Sequence, residues 1–328
     1  MSSRIFYALQ QVTVGGTVLS GVQSVGASST TNIENFSRFG STGATTILQD
    51  LDLEITVENA LGNGWDNILT AVGMGGAADA GKSTTVKIEY LTSTGVTKSV
   101  TLDAIISSYS MQMGVDGPAT ESVTFQNNGN AVFTAGTDGT TLGTPTGGVC
   151  AVITRPSFSG YQEAYSDNHC SGSPTWTSAS DSNLLSVSAS MDIGTEKVNV
   201  LGQSLSFGKY VTFPIETSME TEVHLDPESG TYGAGQTSDD GMGGFMSGTI
   251  AAAPNDKSLV DRLYRTLIKL PGNYYGMSGA RLTGVSRSGG DVGGGQVSIT
   301  SSFSSVNDLF YSTTDPSSDI TGTNFPAA

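Results

Sequence analysis

Residues 47–58, ILQDLDLEITVE, alternate apolar and polar side chains almost without a break. Ile47, Leu51, Leu53, Ile55 and Val57 share one parity, while Asp50, Asp52, Glu54, Thr56 and Glu58 share the other. A strand sends successive side chains to opposite sides and sorts this pattern into two faces; a helix does not. A half-buried strand is therefore expected. Its wet face carries a row of carboxylates, each about 7 Å from the next. The apolar parity has to meet a core, which fixes the side the acids take, because a one-residue slip would exchange the faces.

The pattern returns in the second half. In IETSMETEVH at 215–224, Ile215, Met219 and Val223 share a parity with Thr217 and Thr221, and Glu216, Glu220, Glu222 and His224 share the other with Ser218. A shift of 166 positions sets Leu53 on Met219, Glu54 on Glu220 and Val57 on Val223. Small and polar residues precede each strand, at 32–46 and 195–212. A candidate helix follows each. GNGWDNILTAVG at 62–73 spaces Trp65, Ile68, Leu69 and Val72 helically, and DKSLVDRLYRTLIKL at 256–270 does the same with Leu259, Leu263, Leu267 and Leu270, capped by Asn255 or Asp256. Glycine-tipped hairpins at 102–125 and 279–303 close each half, with Val123 and Phe125 matching Val297 and Ile299 at a shift of 174. Five basic and twelve acidic groups in 1–148, against eight and fifteen in 183–328, leave both halves at −7. The order of features predicts an internal duplication: a first domain over 1–148, a linker or surface excursion over 149–182, and a second domain over 183–328. The fold class expected is mainly β, two tandem and similar β-sandwich or barrel-forming domains, each with one flanking α-helix.

Composition agrees with that class and narrows the function. Glycine fills 43 of 328 positions, and charged residues make up only 13%, about half the usual share. The formal net charge of −16 opposes tight phosphate binding, which draws its affinity from Lys and Arg releasing counterions. MSSRIFYALQQ at the start lacks the apolar stretch of a secretory signal, and no apolar run reaches the length of a membrane span. Cys150 and Cys170 leave two readings open, one bridge closing a loop or two free thiols.

Motifs that would mean chemistry do not hold together. GAADAGKS at 76–83 satisfies the P-loop pattern. A P-loop needs a strand before it and a helix after it; here a helical stretch precedes and the β-branched TTVKIEYL follows. His169 beside Cys170, with Cys150 upstream, falls short of a zinc ligand set. His169 and His224 are the two histidines of the chain, too few to favour a Ser–His–Asp site. The acids lie along an extended strand rather than in a bent calcium loop. A glycosidase pair would face across a groove, typically lined with aromatics, yet tryptophan occurs only at 65 and 176. The chain is read as not an enzyme, with no cofactor and no metal.

GVDGPATESVTFQNNG at 114–129 resembles the closing hairpin of tail tube proteins of tailed bacteriophages, in the form that carries the tube domain twice in one chain. The order of strand, helix and hairpin in each half supports the resemblance, which covers about 290 residues. It implies β-sandwiches whose inner sheets join side by side into a barrel around a lumen, in rings that stack into a tube. Six domains per ring would need three chains, a trimer with approximate sixfold symmetry. The acidic rows, Asp50, Asp52, Glu54 and Glu58 with Glu216, Glu220 and Glu222, would line the lumen, where a duplex passes without being held. The resemblance further implies partners among tail proteins such as tape measure, terminator, baseplate or sheath, no membrane, assembly in the host cytoplasm, and a place in the virion tail. A capsid decoration, neck or other β-rich appendage protein is the alternative. A secreted carbohydrate-active enzyme is a third class, disfavoured by the missing signal and the sparse aromatics.

Overall fold

Alternating sequence becomes strand throughout the chain. A computed structural model describes residues 5–37, 39–40, 42–61, 67–74, 79, 81–92, 96–114, 117–138, 157–162, 177–181, 184–201, 208–224, 264–270, 272–288, 298–305 and 309–314. The elements run β1 (Ile5–Val14), β2 (Thr17–Val18), β3 (Val22–Ser37), β4 (Ala44–Leu61), α1 (Ile68–Val72), β5 (Thr84–Thr92), β6 (Val96–Gly114) and β7 (Ala119–Asp138). They continue with β8 (Ser157–Gln162), β9 (Thr177–Asp181), β10 (Leu184–Asp192), β11 (Thr195–Val198), β12 (Gly208–Val211), β13 (Glu216–His224), β14 (Tyr264–Leu270), β15 (Asn273–Ser288), β16 (Ser298–Ser305) and β17 (Phe310–Ser312). The protein is mainly β, and every strand pair among the described residues is antiparallel.

The long strand β6 organises the sheet. One edge pairs with β7 along nearly its whole length. The other pairs with β5 over Thr97–Ala104 and then with β10 over Ser108–Gly114. Strand β15 also divides its length among partners: Asn273–Ala280 pairs with β14, and β16, in the place that β7 takes on β6, pairs with Arg281–Ser288. Two series follow, β2-β1-β5-β6 and β9-β8-β14-β15, together with two runs, β3-β4-β7-β6 and β10-β13-β16-β15. The runs join at the β6–β10 pairing into eight neighbouring strands. Apolar faces from both halves bury into one cluster, with Phe125, Tyr109, Met219, Tyr275 and Phe303 each at 1% exposure or less.

The runs also share their irregularities. Gln23 is an extra residue in β3, between the pairs Val22–Asn59 and Ser24–Glu58; Leu185 is the same in β10, between Leu184–Val223 and Ser186–Glu222. Ser107 bulges from β6 between Ile106–Phe125 and Ser108–Thr124, as Thr283 does from β15 between Leu282–Phe303 and Gly284–Ser302. The Ser107 hydroxyl donates to the Thr124 carbonyl at 3.2 Å, and the Thr283 hydroxyl to the Ser302 carbonyl at 3.1 Å.

Three expectations change. The 166-residue shift put Leu53 in Met219's place. In the structure Ile55 pairs with Phe125 as Met219 pairs with Phe303, so Ile55 holds that place, and Leu53 is only half-buried. A two-residue slip preserves alternation and is invisible to it. Val297, matched to Val123, lies outside the described residues; Phe303 rather than Ile299 holds the place of Phe125. Second, the helix expected over 256–270 is contradicted where it is described, because 264–270 form β14. Thr266, Leu267 and Ile268 are all fully buried, and a strand covered on both faces reads as a continuous apolar run, which periodicity does not separate from a helix. Third, the stretch 149–182, expected as linker or surface excursion, contains β8 and β9, which extend the sheet beyond β14.

The helix expected over 62–73 survives as α1, with 62–66 outside the described residues. Asn67 caps it, its side-chain oxygen accepting from Leu69 N at 2.7 Å and Thr70 N at 3.3 Å. Gly73 ends it at φ 75, a left-handed conformation suited to glycine. Gly15, in the β1–β2 turn at φ 56, lies so close to α1 that a Cβ there would stand 2.1 Å from the Ala71 carbonyl oxygen.

Candidate functional site

The face opposite the core is the candidate. Across the eight strands it carries hydroxyls and acids in register. Glu54 on β4 lies between Ser28 and Gln126, and Glu58 between Ser24 and Ser122. On β13, Glu220 lies between Ser188 and Ser302, and Glu222 between Ser186 and Thr300. Asp192 of β10 faces Glu216. Asp50 sits on β4 opposite Asn32, and its side chain is outside the described set.

Serines hold many of these carboxylates. The Ser24 hydroxyl donates to Glu58 Oε2 at 2.9 Å, and Ser186 to Glu222 Oε2 at 3.2 Å, in the same place beside the same bulge. Ser298 donates to Glu222 Oε1 at 2.7 Å and Ser302 to Glu220 Oε2 at 3.1 Å. A hydroxyl orients a carboxylate without cancelling its charge, so the face stays negative. It is concave across the β6–β10 junction, where Ser110, Ser122, Ser190, Glu216, Ser218 and Ser304 line a cleft of about 720 Å³.

Basic side chains enter at one end. Asp52 forms ion pairs with Lys197 of β11 and with Lys209 of β12, the latter at 3.3 Å. Desolvation pushes the Asp52 carboxyl up, but the hydrogen bond from Lys197 and the charges of both lysines outweigh it and hold its pKa below the usual carboxylate value. The β11–β12 hairpin is fixed there by further bonds, Thr195 Oγ1 to Gln126 Oε1 at 3.1 Å and Lys209 N to Asn128 Oδ1 at 2.7 Å. Arg281 also lines the cleft. More than 140 residues separate Lys197 from Asp52, and no local pattern signals that pairing.

No protein-family model matches the chain, and no curated relative matches its sequence. Solved structures with a partly similar fold include a chain of the virion of a native gene transfer agent particle, at 12% identity and TM-score 0.31, over 40% of this chain and 100% of that one. Another is the sheath/tube terminator of an extracellular contractile injection system in the extended state, at 13% and 0.34, over 41% and 99%. A third is the tube-terminating cap of the anti-feeding prophage, at 13% and 0.34, over 41% and 93%.

A second polar group lies inside the core. Glu121, on β7 at 1% exposure, accepts from Asn59 Nδ2 at 2.7 Å, Ile68 N at 2.9 Å and the Tyr109 hydroxyl at 3.2 Å. Burial raises its pKa to about 7, against the pull of those three donors. Asn67 Nδ2 donates to the Tyr275 hydroxyl at 2.6 Å, Thr70 to the Tyr311 hydroxyl at 2.9 Å, and Tyr311 to Asn273 Oδ1 at 2.7 Å. This network ties the first half to the second. The sequence signal for Glu121 was present, since an acid there shares the parity of Ala119, Val123 and Phe125.

The stretch that satisfies the P-loop pattern sits between α1 and β5, the reverse of the order a P-loop needs. Lys82 Nζ donates to the Gly73 carbonyl at 3.0 Å, caps the end of α1, and lies 3.9 Å from Asp79, while β5 begins two residues on. Lys82→Ala is expected to bind ATP no differently from the parent, both showing no saturable isotherm by calorimetry; binding lost only in the variant would restore the P-loop. Among the described residues, no group of three or more His, Cys, Asp or Glu is placed to hold a metal. Cys150, His169 and Cys170 lie outside the described residues, as does the side chain of His224 on β13. No described helix is long and apolar enough to cross a membrane.

Proposed function

We propose that the chain is a duplicated tail tube protein, that three copies close into a ring of six units, and that stacked rings form a channel for DNA in a virus tail. The observation that carries this reading is the eight-strand run. It is two four-strand units in the same order, bulged at the same places. Asp52 and Glu216 hold one equivalent position, and Glu58 and Glu222 another. A duplex carries one charge per ~1.7 Å of axis, and lysines or arginines would neutralise and retain it. A wall of serines and carboxylates repels the backbone and keeps mobile cations between. The chain has no enzymatic role in this reading, and its partners are copies of itself and the tail proteins at the ends of, around and inside the tube.

Electron microscopy of the purified protein tests the assembly: rings or tubes with a central hole are expected, and dispersed particles would favour a decoration or appendage protein. The combined Glu54→Lys, Glu216→Lys and Glu220→Lys variant tests the wall. It spares Asp52, whose lysine partners would be left unpaired. Rings should persist and acquire salt-sensitive DNA binding, at least tenfold tighter than the parent at low salt, with the DNA seen within the hole. DNA bound only to the outer surface would overturn the assignment of this face.

A further inference from the structure

Each unit begins with a strand whose outer side must meet something, and the chain shows what one of them meets. β10 opens the second unit and pairs with β6, the last strand in space of the first, with Ser108 opposite Asp192, Ser110 opposite Ser190 and Gln112 opposite Ser188. β3 opens the first unit and, among the described residues, pairs only with β4. β15 ends the second unit; among the described residues its Gly284–Ser288 segment pairs with β16 alone, the partnerships with β14 and β17 being confined to Asn273–Ala280. Among the described residues, Gly26–Thr30 at one end of the eight-strand run and Gly284–Ser288 at the other therefore each have a strand neighbour on one edge alone.

Burial says that the open edge of β3 is an unfinished copy of the β10 junction. The Ala27–Ile55 and Ala189–Met219 pairs occupy the same place in the two units. Ala189 and Met191 are buried at 1% and 2%, whereas Ala27 and Ser29 in the corresponding positions are exposed. An apolar cleft of about 270 Å³ opens beside them, lined by Ala27, Ser29, Leu53, Ile55, Val100 and Leu102.

We infer that β15 of one copy pairs antiparallel with β3 of the next, with Ser286 opposite Ser28, Gly284 opposite Thr30 and Ser288 opposite Gly26. The register is that of the β6–β10 pairing, carried to both edges through the matched bulges: Ser108, Ser110 and Gln112 become Gly284, Ser286 and Ser288, while Asp192, Ser190 and Ser188 become Thr30, Ser28 and Gly26. The partner is a second copy of this chain. The contact is heterologous, so it closes a ring or continues as a helix. This pairing rests on the ring reading above and adds its register.

Cysteine cross-linking decides it. In the full chain with Cys150→Ser and Cys170→Ser, the pair Ser28→Cys and Ser286→Cys should oxidise into covalent dimers and trimers. Directly opposed residues lie about 4.5–5.5 Å apart at Cα, within disulfide reach. Ser28→Cys with Ser288→Cys adds two residues of rise, about 7 Å, and should cross-link at least tenfold more slowly; either cysteine alone should give no trimer. Rings that form with the displaced pair cross-linking faster, or with neither pair reacting, would overturn the register while leaving the ring. Absence of rings in the cysteine-free parent would instead remove the ring reading and this pairing together. Hydrogen exchange of the unsubstituted protein gives a check free of mutation. Amides of 24–30 and 284–288 should slow at least tenfold on assembly, and unchanged exchange in rings would refute the pairing.

Discussion

Raising the pH from 5 to 7.5 is expected to destabilise the folded chain through Glu121 by up to about 3 kcal/mol. The carboxyl has a pKa of about 7 in the fold, against an ordinary 4.5. Between those values the folded state holds a proton that the unfolded state has released, so stability is full below pH 4.5 and falls as pH rises through 7. Asp52, whose pKa is lowered, acts with the opposite sign and only in more acidic solution. Glu121→Gln isolates the effect, because it keeps an oxygen for Ile68 N and Asn59 but has nothing to ionise. Denaturation midpoints measured across this range should slope downward in the parent and run flatter in the variant, which should be the more stable protein at pH 7.5. Parallel slopes would show that Glu121 does not titrate in this window.

Asn67→Ala is expected to cost about 2–3 kcal/mol, more than a helix cap alone. The cap contributes about 1 kcal/mol; the Tyr275 hydroxyl, fully buried, also loses the donor that Asn67 supplies from the other half of the chain, a further 1–2 kcal/mol. Asn67→Ser separates the two, since serine restores a capping oxygen for Leu69 N and Thr70 N but does not reach Tyr275. It should recover about 1 kcal/mol of the loss in urea denaturation. Full recovery would mean the bond across the halves adds nothing.

Period-two alternation made β4 and β13 legible, and with them the side taken by the acids. It works because one face of each strand is wet. β14 was lost for the opposite reason: both of its faces are covered, and Thr266, Leu267 and Ile268 look like a stretch of buried helix. The pairing of Leu53 with Met219 misses by two residues, and the order of strand, helix and hairpin does not recur as read, because the second helix is β14. Only the bulges at Gln23, Leu185, Ser107 and Thr283, which have no sequence signature, set the register. β8 and β9 escaped because a short strand rich in serine and glycine resembles a linker. Lys197 and Lys209 reach Asp52 from a distant hairpin, and chain separation of that kind leaves no local trace.

The β6–β10 pairing also has a temporal side. β6 ends at Gly114, and β10, its third partner, begins at Leu184, roughly 70 residues later. At ~5–20 residues per second of synthesis, the first unit waits several seconds on the ribosome with that edge bare. Neighbouring ribosomes on the same message hold the same edge and, further along, the same β10. A bare edge recruits whichever strand arrives first, so the speed at which 115–183 is translated sets the balance between a strand finding its own chain and finding a sibling.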